Sequence, residues 1–327
     1  MGWLGRKAPL KHGTRIFFAT DIHGSDTCFR KFLNASKSYG CPCLVLGGDI
    51  TGKVLVPIVR GGDGTYSCSF GENEYSGLDE AGRAEIIERI RRIGHYTIVV
   101  TEDEWEQLAD PVEQDRAFRK AVYESVADWV ALADERLRGT ERRCYVAPGN
   151  DDFLEIDGAL QGSDYVVFAE NQRLMIDDVH EMVTTGYSNL TPWETERELS
   201  EEDLRQRIDA MSRDVSDPSN LIAVLHPPPY DTILDQAPRL NESLAVTVRP
   251  GSGVVMTPVG STAVRSFIED TQPLLGLHGH VHESPGAIHL GRTLCINPGS
   301  EYTRGGLAGA IVEVGAGEVL RHQLLSG

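Results

Sequence analysis

The sequence predicts an α/β fold built on a mixed β-sheet. Strand-like and helical segments alternate from the start of the chain, with a strand at Arg15–Thr20, a helix at Ser25–Ser38 and a strand at Leu44–Gly47. This β-α-β order predicts a right-handed crossover between two parallel strands. Further along, Leu221–Leu225 is an unbroken apolar run, which is typical of a strand buried on both faces.

The segment after Asp49 predicts an insertion into this fold. About a hundred residues separate Asp49 from Gly149, which follows the strand-like run Cys144–Ala147, and that distance is too long for a loop. Glycines separate two short strand-like runs there, which predicts a β-hairpin. We therefore predict a small α+β insertion over residues 53–110 within one domain over residues 1–327. Its elements and the helix that follows are strands Val54–Arg60, Thr65–Phe70 and Thr97–Val100, and helices Leu78–Ile93, Asp103–Leu108 and Val112–Leu137.

The second half of the chain alternates less regularly. Tyr165–Phe168, Arg173–Ile176 and His180–Gly186 predict short antiparallel strands, and Thr195–Met211 predicts a charged amphipathic helix. The remaining predicted elements are helix Ser261–Thr271 and strands Leu274–Leu277, Ala287–His289, Thr293–Ile296, Ala308–Val314 and Val319–Leu324.

Composition limits the partners of the protein. The chain has 327 residues, of which 40% are hydrophobic, and this suffices for a sizeable core. A net charge of −18 disfavours binding to long nucleic acids and anionic membranes, which requires basic patches. No apolar run approaches the roughly 20 residues that span a bilayer. Six cysteines are scattered in or beside strand-like runs, which predicts buried free thiols and a cytoplasmic location.

Five short polar motifs stand where predicted strands end, at the edge where open α/β sheets bind ligands. Each motif alone is common, because a lone histidine is mostly a packed or surface residue and a lone Gly-Asp is mostly a turn. Packed histidines and turns do not explain why all five motifs occur in this order at strand ends, so the five together predict a metal site. The motifs are Asp21-Ile22-His23, Gly48-Asp49, Gly149-Asn150-Asp151, Leu225-His226-Pro227 and Gly279-His280-Val281-His282.

The residue types suit two divalent ions. Ions about 3.5–4 Å apart need a bridging carboxylate, and Asp49 in its glycine-flanked turn fits that role. Oxygen and imidazole ligands without a thiolate suit Mn²⁺, Fe or Zn²⁺. His280 and His282 are two residues apart, so on extended backbone they would point to opposite sides and reach different ions.

These motifs resemble those of the calcineurin-like metallophosphoesterase superfamily, whose pattern is D-x-H, G-D, G-N-[H/D/C], H and G-H-x-H. The resemblance covers roughly residues 15–300. The stretches His226-Pro-Pro-Pro-Tyr-Asp and Asn297-Pro-Gly-Ser-Glu-Tyr resemble the prokaryotic branch related to cyclic-nucleotide phosphodiesterases. The resemblance implies a four-layer αββα sandwich of mixed sheets. It also implies that Asp49 bridges two ions, one held by Asp21, His23 and His282 and the other by Asn150, His226 and His280.

Asp151 departs from the commonest form of the family pattern. Many members have a histidine after Gly-Asn that can donate a proton to the leaving oxygen. An aspartate, with an ordinary pKa of about 3.9, is a poor proton donor at neutral pH, and two nearby ions would favour its charged form. We therefore interpret Asp151 as a base, an orienting acceptor or a partner of a ligand. His278 is interpreted as a substitute proton donor, a support for a ligand, or a packed core residue.

The expected function is hydrolysis of a small phosphodiester, nucleotide-like or related, by a hydroxide held between two divalent ions, with Mn²⁺ the first choice in vitro. The missing histidine after Asn150 favours diesters with good leaving groups. The alternatives are a phosphomonoesterase or pyrophosphatase on a small metabolite, and a metal-binding scaffold with little turnover. The insertion is interpreted as a cap that limits substrate size, a contact in a homo-oligomer, or a plain surface subdomain.

Overall fold

The computed structural model describes residues 13–249, 251 and 253–327, so residues 1–12 of the predicted domain lie outside the described part. The strands of the first half are β1 Thr14–Ala19, β2 Cys43–Gly47, β3 Leu55–Arg60, β4 Tyr66–Phe70, β5 Asn73–Leu78, β6 Tyr96–Thr101, β7 Arg143–Ala147 and β8 Val166–Phe168. Those of the second half are β9 Gln172–Met175, β10 Glu181–Thr185, β11 Ser188–Asn189, β12 Glu198–Leu199, β13 Leu221–Leu225, β14 Gln236–Pro238, β15 Val248–Arg249, β16 Gly253–Val254, β17 Met256–Pro258, β18 Leu275–Leu277, β19 Gly286–Leu290, β20 Thr293–Asn297, β21 Ala308–Gly315 and β22 Glu318–Ser326.

The α-helices of the described residues are α1 Asp26–Ser38, α2 Glu80–Arg92, α3 Glu102–Gln107, α4 Pro111–Leu137, α5 Asp157–Leu160, α6 Glu201–Ser212 and α7 Thr262–Thr271. Side chains fix several of their starts. Ser25 caps α1 by accepting a hydrogen bond from the backbone of Cys28, and Pro111 follows the capping Asp110 at the start of α4. Within the described ranges, no helix combines the length and apolar character needed to cross a bilayer.

The first sheet has six strands in the order β22-β21-β1-β2-β7-β8. Its strands β1, β2, β7 and β8 run parallel, and the antiparallel pair β21 and β22 extends one edge. α1 connects β1 to β2, so the predicted β-α-β start is confirmed. The second sheet has the order β19-β20-β18-β13-β10-β9, with four parallel strands at its centre and antiparallel strands at both edges.

The two sheets pack face to face with helices on both outer sides. Successive side chains of a strand point to opposite faces, so β1 divides its residues between two layers. Phe18 lies in the core between the sheets, together with Val224 of β13. Phe17 instead packs beneath α1 and α4, and α6 and α7 cover the outer face of the second sheet. The predicted α/β fold, a four-layer αββα sandwich with mixed sheets, is confirmed.

The chain between β2 and α4 forms a small unit with its own core. Four strands have the order β5-β4-β3-β6, and α2 packs on them through Ile86 and Ile90. The predicted hairpin is present as β3 and β4. The prediction misses β5 and starts the following helix two residues early, at Leu78, which is the last residue of β5. β5 is a largely exposed edge strand, so it has no regular apolar alternation to reveal it.

Two predictions for the second half are only partly right. β9 and β10 form the predicted antiparallel pair, but β8 is not their neighbour, because it pairs in parallel with β7 in the first sheet. The chain changes sheets between β8 and β9, turning at Asn171 with φ 55°. The predicted helix over Thr195–Met211 starts only at Glu201, after the capping residue Ser200. The preceding residues are held as a loop, in which Glu198 accepts hydrogen bonds from the backbone and hydroxyl of Thr195.

The cysteines agree with the sequence prediction. All six lie in the described part of the chain, and all six are buried and free of disulfide bonds. Burial raises the pKa of the Cys144 thiol to about 12 and also that of Cys295 to about 12, so both remain protonated at neutral pH. The thiols therefore behave as small apolar core residues.

A buried histidine joins the two sheets at the end remote from the polar motifs. His180, immediately before β10, places its Nδ1 2.6 Å from Oδ2 of Asp177 and its Nε2 3.0 Å from the carbonyl oxygen of Gly315 in β21. Burial alone would lower the pKa of His180, but the bonds to Asp177 and Gly315 raise it above its ordinary value.

We expect His180→Ala to lower the free energy of unfolding by about 2–3 kcal/mol at pH 6, because the Gly315 carbonyl oxygen and Oδ2 of Asp177 both lose the imidazole that bonds them. Since the folded-state pKa of His180 is raised, its ionic contribution is complete below the unfolded pKa and fades as the pH rises through the folded one. The difference from wild type should therefore be larger at pH 6 than at pH 9 in urea denaturation. His289→Ala, at an exposed histidine, is the matched control, and equal effects of the two substitutions would contradict the prediction.

Candidate metal centre

The predicted ligand residues meet at one edge of the sandwich. Each stands in a loop that follows a parallel strand, after β1, β2 and β7 in the first sheet and after β13 and β18 in the second. Backbone hydrogen bonds join these loops: the N–H of Asp21 donates to Gly48, and the N–H of Gly279 donates to His226. The structure thus brings together Asp21, His23, Asp49, Asn150, His226, His280 and His282.

One group consists of Asp21, His23 and His282. One ligand atom from each of these residues lies within 4.8 Å of the others. The two Nε2 atoms of His23 and His282 are 3.0 Å apart, and His282 Nε2 is 3.2 Å from Oδ1 of Asp21. Two imidazole nitrogens and a carboxylate oxygen that converge in this way form a set that can hold a divalent ion.

A second group consists of Asp49, His226 and His280, also within 4.8 Å of one another, with Asn150 beside them. His226 Nε2 is 3.3 Å from Oδ1 of Asp49, and His280 Nδ1 is 2.9 Å from the side-chain oxygen of Asn150. The other Asp49 oxygen, Oδ2, lies 4.0 Å from His23 Nε2 of the first group. Asp49 is therefore the carboxylate shared between the two groups.

The donor set fits a metal because a buried nitrogen of His226 makes no hydrogen bond to the described part of the protein. His226 is fully buried, and its Nδ1–H donates to the carbonyl oxygen of Gly47 at 3.0 Å. Its Nε2 is buried without a hydrogen bond and points toward Asp49. An imidazole held by a backbone carbonyl on one nitrogen and free on the other is the usual arrangement of a metal-ligating histidine. Asp49 also stays ionised: burial would raise its pKa, but His226 and His23 lower it well below the ordinary value.

The backbone is strained at four of the seven predicted ligand residues. Asp21, His23, Asp49 and His280 have φ of 53°, 40°, 47° and 67°, in the left-handed region that side chains other than glycine seldom adopt. Such strain costs of order 1–3 kcal/mol per residue and concentrates at functional sites. The prediction that His280 lies on extended backbone is wrong. His280 and His282 do reach different groups, but they do so because the chain turns at His280.

Gly149 lets the Asn150 loop approach the shared carboxylate. A Cβ atom at this position would lie 2.1 Å from Oδ1 of Asp49 and 2.2 Å from its backbone nitrogen. Neither atom can move away without displacing Asp49. Every side chain larger than hydrogen is therefore excluded at this point of the Gly-Asn-Asp motif.

Asp152 ties two of the ligand loops together, a role that the sequence did not indicate. It is fully buried, and its two carboxylate oxygens accept four hydrogen bonds. Oδ2 accepts from the backbone N–H groups of Ile50 at 3.0 Å and Gly149 at 2.6 Å, and Oδ1 accepts from the N–H and hydroxyl of Thr51. Asp152 thus fixes the loop of Asp49 against the loop of Asn150.

The loop before α6 supports Asn150 from the other side. Thr195 accepts a hydrogen bond from the side-chain nitrogen of Asn150 at 3.0 Å, which directs the amide oxygen toward His280. Arg197 is almost completely buried and donates to the carbonyl oxygens of Asp152 and Phe153. No motif marks Thr195 or Arg197, because their role depends on a contact between distant segments of the chain.

The insertion supports the loop of His23. Gly94, just beyond α2, has φ 88°, and a Cβ atom there would lie 1.9 Å from the carbonyl oxygen of His23. The hydroxyl of Ser25 donates to the carbonyl of Arg92 at 2.7 Å. The end of α2 therefore packs directly on the loop that carries Asp21 and His23, so the insertion is in contact with the candidate centre.

Asp151 lies beside the ligands and pairs with a residue that no motif contains. Its Oδ2 forms an ion pair with the Nζ of Lys53 and lies 4.0 Å from His23 Nδ1. Its backbone N–H donates to Oδ1 of Asp49 at 3.0 Å. Burial and the charge of Asp49 raise the pKa of Asp151 to about 6, and bound divalent ions would act in the opposite direction. Its carboxylate can also reach an ion between His23 and Asp49.

His278 is a support for the loop of His226 in this structure. It is fully buried, and its Nδ1 lies 2.8 Å from the carbonyl oxygen of Leu225, the residue before His226. Burial lowers the pKa of His278 to about 4, so its ring is neutral at physiological pH. A neutral, fully buried imidazole cannot donate a proton to a leaving group in the open part of the site. Of the three roles predicted for His278, its contacts favour that of a support for the ligand loop.

Comparison with known sequences gives one distant relative. No protein-family model matches the chain. The protein described as Uncharacterized protein MJ1162, of Methanocaldococcus jannaschii, is 28% identical over 153 residues, which are 46% of this chain and 61% of that protein. The chain thus aligns with about three fifths of the length of this curated relative.

Comparison with solved structures gives matches over nearly the whole chain. One crystal structure aligns with 96% of this chain and 98% of its own, at 14% identity and a TM-score of 0.57. The crystal structure of TT1561 of Thermus thermophilus covers the same shares, at 13% identity and a TM-score of 0.53. YfcE, a phosphoesterase from E. coli, aligns with 95% of this chain and 98% of its own, at 12% identity and a TM-score of 0.33. At these identities the first two matches show a shared fold.

Proposed function

We propose that this chain, whose fold is that of the calcineurin-like metallophosphoesterases, hydrolyses a small phosphodiester with the help of two divalent metal ions. The observation that carries the proposal is the pair of ligand groups joined by the shared carboxylate of Asp49. Backbone strain at four ligand residues supports an active centre over a scaffold with little turnover, because strain of this kind is kept where function requires it.

When bound, two divalent ions lower the pKa of a coordinated water and neutralise the oxygens of a phosphoryl group. The protein residues provide the geometry for this chemistry. Asp49 would set the spacing of the ions, and His23, His226, His280 and His282 would hold them by neutral imidazole nitrogens. Asp151, with a side chain that is 11% exposed, would hold the ammonium group of Lys53 at the rim of the centre. The all-nitrogen-and-oxygen set makes Mn²⁺ the first ion to test, with Fe and Zn²⁺ as alternatives.

A phosphodiester with a good leaving group suits this centre best. The position after Asn150 holds Asp151, and His278 is buried beneath the loops, so neither of these two positions offers an accessible imidazole to protonate a poor leaving group. One observation favours a phosphomonoesterase or pyrophosphatase instead: Lys53 adds a positive charge at the rim, and this suits the more highly charged phosphate groups of such substrates.

The test is a panel of substrates assayed with Mn²⁺, then with Fe²⁺ and Zn²⁺. We expect faster hydrolysis of bis-p-nitrophenyl phosphate than of p-nitrophenyl phosphate, with cyclic nucleotides as the first natural candidates. Faster hydrolysis of the monoester would assign the alternative function. No hydrolysis of any phosphate ester by protein that carries two ions per chain would support the scaffold.

The insertion is proposed to limit the size of the substrate, because it begins at the rim of the centre with Lys53 and packs on the loop of His23. A contact in a homo-oligomer is the alternative. Light scattering of the purified protein, with and without substitutions on the exposed face of β5, distinguishes these roles. A monomer that prefers small diesters over bulky ones supports the first role.

Asp151→His provides a sharper test of the leaving-group argument. An imidazole at this position can donate a proton near neutral pH, so we expect it to raise the rate on alkyl phosphate monoesters by about tenfold or more relative to p-nitrophenyl phosphate. Rates on the two substrates are measured at equal metal content. Asp115→His, at an exposed aspartate of α4, is the control. An unchanged ratio would show that Asp151 does not face the leaving group.

A further inference from the structure

We propose that Lys53, held beside the metal centre by Asp151, binds a phosphoryl oxygen of the substrate. The proposal rests on the proposed phosphoesterase function and adds a substrate-binding residue that lies outside the five motifs. Its chemistry is that of an ammonium group that donates charge-assisted hydrogen bonds to an anionic oxygen.

The position of the ammonium group carries the proposal. Lys53 Nζ is paired with Oδ2 of Asp151, and the same oxygen lies 4.0 Å from Nδ1 of the ligand His23. The backbone N–H of Asp151 donates to Oδ1 of Asp49, the carboxylate shared between the two groups. The ammonium group is therefore separated from both ligand groups by the side chain of Asp151 alone.

The base of Lys53 is fixed while its end is open to solvent. The three preceding residues are held by buried hydrogen bonds: Ile50 and Thr51 donate to Asp152, and the N–H of Gly52 donates to the hydroxyl of Tyr96 at 2.9 Å. The Lys53 side chain itself is 60% exposed. The fixed backbone keeps the ammonium group near Asp151. Because the side chain is exposed, the ammonium group can release Asp151 and bind an incoming anion.

The charge balance of the centre gives Lys53 a role. Two divalent ions would bring four positive charges to the centre. When ionised, the side chains of Asp21, Asp49, Asp151 and Asp152 carry four negative charges, so without Lys53 the loaded centre would have no net positive charge to attract an anion. In the described part of the chain, Lys53 is the one lysine or arginine that forms an ion pair with any of these carboxylates. An ion pair with so exposed a partner stabilises a fold little, so stability alone does not explain it.

The experiment compares the binding of inorganic phosphate to Mn²⁺-loaded wild type and Lys53→Met by titration calorimetry, with kcat and KM measured on bis-p-nitrophenyl phosphate. Loss of a charge-assisted hydrogen bond should weaken phosphate binding about tenfold to hundredfold and lower kcat/KM by a similar factor. Metal content and the urea midpoint should not change, and Lys53→Arg should restore part of the binding. Lys120→Met, at an exposed lysine paired with Glu124, is the matched control.

The outcomes separate this proposal from the proposed function. Phosphate binding that is equal in wild type and Lys53→Met overturns the role of Lys53, whatever the activity. Wild-type protein that binds phosphate more tightly than Lys53→Met but hydrolyses no ester supports the role of Lys53 and overturns the proposed phosphoesterase. A lower urea midpoint for Lys53→Met with unchanged phosphate binding would assign Lys53 to the fold alone.

Asp151 acts in this proposal as a positioning residue for Lys53. A double-mutant cycle with Asp151→Asn and Lys53→Met tests that role, with the phosphate dissociation constant as the readout. Groups in contact are expected to couple, so the effect of the double substitution should differ more than about twofold from the product of the single effects. Independent effects would show that Lys53 is placed by its own loop without the help of Asp151.

Discussion

Asp49→Ala is expected to lose both metal ions and to reduce hydrolysis more than about 100-fold, since loss of mere supporting contacts around a metal already costs about 10–100-fold. The reason is that Asp49 takes part in both ligand groups: Oδ1 lies 3.3 Å from His226 Nε2, and Oδ2 lies 4.0 Å from His23 Nε2. Removing any other ligand weakens one group, whereas removing Asp49 weakens both. The measurement is elemental analysis of metal per chain after dialysis of Mn²⁺-loaded protein.

Glu88→Ala is the control for this substitution, because Glu88 is an exposed carboxylate on α2 in the insertion. It should retain wild-type metal content and activity. Circular dichroism should show that Asp49→Ala is folded, since Asp49 contributes little apolar packing. Two ions per chain in folded Asp49→Ala would exclude Asp49 as the shared ligand, and one ion per chain would place it in a single group.

The sequence predicts the fold, and it predicts which polar side chains the fold brings together, because both depend on local patterns. Asp21 and Asp49 each follow a strand whose apolar residues predict its position, so the end of the strand also places the side chain that comes next. Parallel strands bring those ends to one edge, and the motifs meet there. The predicted four-layer α/β sandwich is confirmed by the layers, and the structural matches share this fold.

The supporting residues could not be predicted because their roles are not local. Arg197 is almost fully buried although its neighbours in sequence are charged, and what it contacts is the backbone of the Asp152 loop, 45 residues away. Lys53 meets Asp151 across the whole insertion. The positive φ of His280 also has no signal in the sequence, because the spacing of His280 and His282 suits an extended strand equally well. The burial of Arg197, the ion pair of Lys53 and the backbone conformation of His280 all depend on contacts between segments that are distant in sequence.

Asp152→Asn is expected to lower the free energy of unfolding by about 3 kcal/mol and the affinity for metal about 10–100-fold. The carboxylate accepts four hydrogen bonds and donates none, so an amide NH₂ in either orientation would face at least one buried N–H that has no other partner. The loops of Asp49 and Asn150 would then lose their common anchor. Urea denaturation of metal-free protein gives the first quantity, and competition with a chelator gives the second. Asp217→Asn is the control, because Asp217 also accepts a backbone hydrogen bond but is exposed, so water can replace it. If the two substitutions have equal effects on stability and neither alters metal affinity, Asp152 does not hold the loops together.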